Sequence, residues 1–385
     1  MKSVIYKEII KSFDVICEKG NVINKHLGLW QGMRETNDGG KSYTMQSFPC
    51  DPNYEFISEI EKVFDENFNI IKDLNENIRI THLFQKRNIY VNDFEAENSY
   101  IHLINLQDNI SKTSLNYYSK DKIINKHDLN LKIEKLIQII DHTNYLQSGN
   151  WEYSKIVFDK EASGVIIAMI IGYFFEGNRV ASNTSYFFNH IEKFSTNVSI
   201  NIYDELRCDL PVYFEYDQEG IKANKKVFLI KDGKIGSCLT DINSSAKLNV
   251  ENNGRSRSQD YRTIPSPRIT NIVVEKGNIN FNQMISTIER GIYCTGVSGV
   301  ALDAASGIIH VNCLLGYQIK DKKLNSDIII KEPGFSFEVF DFLKNIIHTC
   351  DESGVGYRIM GKGRPMQNTL VGFSSPEICL EGSRL

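Results

Sequence analysis

The spacing of hydrophobic and polar positions changes several times along this chain, and each change marks an expected element. Residues 1 to about 25 place Ile9, Ile10, Phe13 and Ile16 at helical spacing and predict an amphipathic helix followed by a glycine turn. A second helix is predicted over Phe56–Ile71, with Ile57, Ile60, Val63, Phe64 and Phe68 on one side. Asn77–Asn92 and Ser99–Gln107 alternate as strands do, and Asp121–Asp141 returns to helical period through Leu129, Ile133, Leu136 and Ile140. The Asn, Gln, Ser and Gly of His142–Trp151 read as a linker. Beyond it, Lys155–Phe158 predicts a short strand entering a helix at Gly164. Further strands are expected over Val198–Asp204, Lys225–Ile230, Arg268–Lys276 and Gly307–Lys320. Lys231-Asp232-Gly233-Lys234 is a hairpin turn by its Asp-Gly pair. Asn282–Gly291 and Ser336–Cys350 predict helices, and Gly354–Gly382 a glycine-rich tail of short strand-like pieces.

These elements imply an α+β fold in two domains: a mixed helix-and-strand domain over 1–150 and a strand-rich domain over 151–385. A chain of 385 residues has room for two or three domains. A net charge of -4 argues against nucleic-acid binding by bulk charge. The N-terminus alternates charged and apolar residues, unlike a secretion signal. The longest apolar run, Gly164–Phe175, is shorter than the ~20 residues that cross a bilayer. We therefore expect a cytoplasmic protein with no membrane and no nucleic-acid partner. The eight cysteines are scattered with no C-x-x-C pair, so free, mostly buried thiols are expected.

The segment Gly164-Val-Ile-Ile-Ala-Met-Ile-Ile-Gly-Tyr-Phe-Phe-Glu-Gly-Asn178 resembles the helix that carries the zinc motif of the TldD/PmbA peptidase family, G-V-x-x-H-E-x-x-G-H-x-x-E-G-D. Gly164, Val165, Gly172, Glu176 and Gly177 keep the frame. Further pieces follow in the family's order: Asp217-Gln-Glu-Gly220, Leu229–Gly233, Asn253-Gly254-Arg255, Pro265–Asn271, Glu289–Tyr293, Asp303–Gly307, Pro365 and Ser375–Ile378. The resemblance covers roughly Ile156–Glu381 and implies a C-terminal domain of TldD/PmbA type.

A catalytic zinc takes three protein ligands and lowers the pKa of a bound water, with a carboxylate as the usual base. The resemblance implies, for active members, two His and a base Glu on this helix and a Cys near the C-terminus. Here Ala168 and Tyr173 stand at the His positions and Met169 at the Glu, and Gly354–Gly361 offers no thiol. Two ligands five residues apart lie ~140° apart on a regular helix, so a helix that ends or distorts near Gly172 is expected in such a site. Tyr173, Phe174 and Phe175 are expected to fill the space of the missing metal, and Glu176 to brace the helix. No catalytic residue and no metal ligand is assigned. His310 and Cys313 make H-x-x-C on a strand, whose period of two sends them to opposite faces.

Arg255, Arg262, Arg268 and Asn271 are the peptide-binding candidates, either as a clamp for carboxylates or as a loop of solvated charges with one structural arginine. The resemblance implies a non-catalytic subunit of the TldE kind, with no cofactor of its own. Its partner would be a zinc-bearing TldD-like paralogue in a heterodimer that trims or degrades extended, unstructured peptides, leader peptides of ribosomally made products among them. A metal-free homodimeric peptide scaffold, and an enzyme that reuses the cavity, are the alternatives.

Overall fold

The computed structural model describes residues 4–18, 21–37, 42–48, 62–63, 65–67, 69–70, 78–92, 94–110, 113–142, 153–189, 194–363 and 366–382. The chain divides into two units. The first comprises Met1–Asn144 with Asp260–Ile264, the second Tyr145–Gln259 with Pro265–Leu385. Of the expected linker His142–Trp151, His142 is helical and the rest lies outside the described residues, as do Pro365 and part of the helix expected over Phe56–Ile71, whose residues 62–63, 65–67 and 69–70 are helical.

Among the described residues of the first unit, six strands form an antiparallel sheet. They are β1 (Val4–Glu18), β2 (Asn21–Asn37), β3 (Ser42–Ser47), β4 (Ile78–Val91), β5 (Phe94–Asp108) and β6 (Ser114–Ser119), in the order β3-β2-β1-β4-β5-β6. Helix α1 (Lys126–His142) buries Leu129, Ile133 and Leu136. The helix expected over residues 1–25 is thus corrected to the strands β1 and β2. Burial in β1 runs Tyr6, Glu8, Ile10, Ser12, then Phe13, Val15, Cys17. That is period two with one change of phase at Ser12/Phe13, and the phase change imitates helical spacing. Ladders on both sides, to β2 and β4, satisfy the strand's backbone. Glu8 is buried within this face, held by Arg87 at 2.5 Å and accepting a bond from the Tyr261 amide at 2.9 Å.

The second unit is a mixed sheet around one apolar helix. Its elements begin with β7 (Lys155–Phe158), α2 (Lys160–Phe174), α3 (Gly177–Ala181), α4 (Tyr186–Asn189), β8 (Ile202–Glu205), β9 (Lys226–Lys231) and β10 (Lys234–Ile235). There follow α5 (Ile242–Leu248), the small pair β11 (Ser256–Arg257) and β12 (Ser266–Pro267), β13 (Asn271–Val274) and α6 (Phe281–Ser286). The chain closes with β14 (Arg290–Asp303), β15 (Ile308–Lys320), β16 (Lys323–Lys331), β17 (Gly334–Glu338), α7 (Val339–Lys344), β18 (Ile346–Lys362) and β19 (Gln367–Glu381). The sheet order is β10-β9-β8-β13-β19-β7-β14-β15-β16, with β17 on β15 and β18 on β19. The Asp-Gly turn between β9 and β10 takes φ 50° at Asp232 and 75° at Gly233, as a tight hairpin requires.

Two further expectations are corrected here. Ser336–Cys350 is strand, short helix and strand. Phe335 and Phe337 alternate on β17 against β15, and the Glu338 carboxylate caps the Asp341 amide at 3.0 Å, so the helix starts only at Val339. Cys350 accordingly sits on a strand. The tail is two long paired strands, not short pieces, because its glycines admit neighbouring side chains. A Cβ on Gly356 would lie 2.3 Å from the Phe373 ring, and one on Gly164 of α2 would lie 2.2 Å from the same ring. No helix among the described residues is long and apolar enough to cross a membrane.

Candidate functional site

Helix α2 is apolar over most of its length, and the half-buried residues of its second half lie on one stripe. Asp159 caps it, accepting from the Ala162 amide at 2.7 Å, and its other oxygen accepts from the Gly296 amide at 3.1 Å. Residues 162–168 are buried against the sheet. Met169, Gly172 and Tyr173 are only half-buried. They are spaced i, i+3, i+4, so they share one face of the helix, and Glu176 follows three residues after Tyr173. These four residues form one wall of a cavity of about 470 Å³. The opposite wall comes from Arg268 and Ile269 before β13 and from Ile359, Met360 and Lys362 on β18. The position that the degenerate motif marks is therefore a cavity.

The three marked residues divide. Met169 and Tyr173 line the cavity, whereas Ala168 is turned into the hydrophobic core. Of the three aromatics expected to fill this space, Tyr173 lines it and leaves it open, and Phe174 and Phe175 pack against Phe187 in the core. The helix does not break at Gly172. It continues to Phe174, and Gly172 instead gives room to Ile269, whose Cδ1 would lie 2.8 Å from a Cβ there. Tyr173 lies beneath the Arg179 guanidinium, 3.7 Å from the ring centroid, which is a cation–π stack.

Glu176 holds the charges of the cavity together. Its carboxylate is buried, 2.5 Å from the Lys362 ammonium and 3.5 Å from Arg179 Nε. The next turn is pinned by Leu239, which donates to Phe175 and accepts from Gly177. Lys362 also donates to Asn178 Oδ1 at 3.3 Å and to the Pro267 carbonyl at 2.9 Å. Burial pushes the Lys362 ammonium below its usual range, the neighbouring Glu176 carboxylate opposes this, and Arg268 and Arg179 push it further down. Arg268 is likewise lowered, first by burial, with Glu176 opposing and Arg179 adding.

The four peptide-binding candidates do not come together as one clamp. Arg255 is fully buried, paired with Asp204 at 2.6 Å and donating to the carbonyls of Asn224, Asn253 and Gly254. Asn271 bridges Val212 and Glu205 through its side-chain amide. Arg262 is half-exposed, belongs to the 260–264 loop of the first unit and pairs with Asp260 at 2.6 Å. Only Arg268 lines the cavity, donating to the Met360 carbonyl and Thr369 Oγ1. Sequence reasoning missed Arg179 and Lys362. Arg179 could have been found from its i+3 spacing to Glu176, but Lys362 is brought in by tertiary structure alone.

The motif pieces are mostly structural. Asp217 accepts from the Glu219, Ile221 and Ser256 amides, and Thr270 donates to Asp204. His310 is exposed and bonds Ser336 Oγ at 2.7 Å, while Cys313 is buried on the other face, as period two requires. Among the described residues no group of three His, Cys, Asp or Glu is placed to hold a metal ion.

Residues 152–384 match the profile of the PmbA/TldA metallopeptidase C-terminal domain. A metalloprotease of Methanothermobacter thermautotrophicus is 26% identical over 223 residues, 58% of this chain and 48% of the relative. A metalloprotease TldD homolog of Buchnera aphidicola is 28% identical over 228 residues, 57% of this chain and 45% of the relative. The match thus spans about half the length of these curated relatives. Among solved structures, TldE from Thermococcus kodakarensis superposes with a TM-score of 0.66 at 15% identity, over 98% of this chain and 95% of that one. A putative modulator of a DNA gyrase from Thermotoga maritima gives a TM-score of 0.70 at 14% identity, over 98% and 94%. At such identities the likeness is one of fold.

Proposed function

The chain belongs to the PmbA/TldD metallopeptidase family, and from that premise we propose that it is a non-catalytic, TldE-like subunit. It pairs with a zinc-bearing TldD-like paralogue and helps to enclose and hold the extended peptides that the paralogue cleaves. The observation that carries the reading is the donor set of the cavity. A methyl group at Ala168, a thioether at Met169 and a phenol at Tyr173, stacked under a guanidinium, stand at the ligand and base positions of the family motif, and the retained Glu176 carboxylate is already held by the Lys362 ammonium at 2.5 Å. These residues do not fit a zinc ion. Ala168 has no donor atom, and Arg179, Arg268 and Lys362 repel a divalent cation. No step of hydrolysis is assigned to this chain.

What remains suited to function is a formed cavity beside an edge. β18 pairs with β19 along one side, and among the described residues no other strand ladders onto its second side over 353–362. Such an edge suits an extended peptide, which binds by main-chain hydrogen bonds and leaves its side chains to pockets. Peptides without stable structure are the substrates this favours, leader segments of ribosomally made products included. Coexpression with a zinc-bearing paralogue tests the reading. A stable complex that cleaves an unstructured peptide is expected. Chains that elute apart on a sizing column, or a self-dimer that excludes the paralogue, would replace it with a free-standing scaffold.

A further inference from the structure

We propose that the cavity beside helix α2 is a carboxylate-binding subsite that seats an acidic group of the bound peptide where the family motif would place a metal. The inference rests on the peptide-binding reading above and names the chemistry that the site selects.

Charge is the first argument. Among the described residues, three cations, Arg179, Arg268 and Lys362, line the cavity against one carboxylate, Glu176. That carboxylate lies nearest Lys362, and the cations disfavour one another's charged forms. An excess of positive charge held away from water is costly unless an anion offsets it.

Hydrogen bonding is the second. Lys362 is directed at Glu176, Asn178 and the Pro267 carbonyl, and Arg268 at the carbonyls of Met360 and Gln367 and at Thr369. The Arg179 side chain differs. Its Nε is buried with no hydrogen-bond partner among the described residues, 3.5 Å from Glu176. The Tyr173 ring centroid lies 3.7 Å from its Cζ and helps to hold the guanidinium in place. A planar guanidinium whose Nε makes no hydrogen bond is a group that can take a carboxylate in a bidentate way.

Space is the third. A cavity of about 470 Å³ admits a side chain or a chain terminus, and lies within the roughly 300–1,000 Å³ of ligand pockets. Met169 supplies an apolar flank, which strengthens the electrostatic contact by excluding water.

The carboxylate has two possible sources, a peptide C-terminus or an Asp or Glu side chain. Three blocked peptides separate them by calorimetric titration of the full chain: acetyl-Ala-Ala-Ala-Gly with a free carboxylate, the same peptide amidated, and amidated acetyl-Ala-Glu-Ala-Gly. One of the two charged peptides is expected to bind at least about tenfold tighter than the neutral one, and the tighter one identifies the source. Arg179→Gln is expected to bring that ratio below about threefold, with an unchanged circular-dichroism spectrum and a single cooperative unfolding transition showing that the fold persists. In the wild-type chain the preference should also fall with added salt. Equal affinity for all three peptides overturns the subsite but leaves peptide binding in place. Absence of binding by all three overturns the subsite too, while pairing with the paralogue is judged separately by coelution.

Discussion

Replacing Glu176 with glutamine separates a brace from a base. The side chain is 3% exposed, with Lys362 Nζ at 2.5 Å and Arg179 Nε at 3.5 Å. At an effective dielectric of about 20, unit charges at those separations attract by gross energies of about 7 and about 5 kcal/mol. Desolvation of the carboxylate, which the amide does not suffer, offsets much of this. Breaking a buried pair from one side costs about 3–5 kcal/mol net. For a unit of this size each kcal/mol moves the melting temperature by about 2–4 °C, so Glu176→Gln should melt roughly 6–20 °C lower. The double variant Glu176→Gln/Lys362→Met should recover a large part of that loss, since it removes the orphaned ammonium along with its partner. Differential scanning calorimetry of the four chains gives the cycle. A single variant that melts with the wild type, or a double variant that loses the sum of both singles, would refute the electrostatic brace.

Arg255→Met should cost about 3–5 kcal/mol in urea unfolding because it strands the buried Asp204, whereas Arg262→Met, on a half-exposed side chain, should cost under about 1 kcal/mol. Equal effects would contradict the structural assignment of Arg255. Gly164→Ala should lower the melting temperature by the equivalent of about 1–3 kcal/mol through its clash with Phe373; helix propensity alone predicts a rise, and a rise would refute the contact. The buried pair His82 and His102, 3.0 Å apart, is pushed down to about 3 and about 4, foremost by burial. Because the folded values lie below the unfolded 6.5, the unfolded chain takes up protons first and stability falls as pH drops below 6.5. From pH 7.5 to 5.5 each histidine should cost about 1.4 kcal/mol. Ring proton shifts that titrate near pH 6.5 in the folded protein would contradict this.

Legibility in the sequence followed the locality of the physics. The β9–β10 hairpin was readable because Asp232 and Gly233 carry the turn by themselves, and α2 because its apolar run is continuous. β1 was not, since its change of phase at Ser12/Phe13 has the spacing of a helix, and only its neighbours β2 and β4 decide the outcome. Glu8 sits between Tyr6 and Ile10 on the buried face of the strand, and its burial requires Arg87 from β4. The segment from Phe335 to Ile346 mixes two periods within a dozen residues, so its strand, helix and strand merged into one apparent helix. At the site, the helix side was legible from the motif's missing donors. The cationic side was not, because Lys362 reaches Glu176 across 186 positions of sequence through the β18–β19 ladder, and nothing local to Gly361-Lys362-Gly363 announces that contact.

The central claim is that this chain contributes a cavity and no metal centre to a peptidase. Metal analysis by plasma mass spectrometry tests it most directly, on the chain purified alone and in complex with a zinc-bearing paralogue, each with a peptide-cleavage assay. Zinc far below one equivalent and no cleavage are expected for the chain alone, and one zinc per pair with cleavage for the complex. One equivalent of zinc in the isolated chain, with peptide hydrolysis that a chelator abolishes, would contradict it.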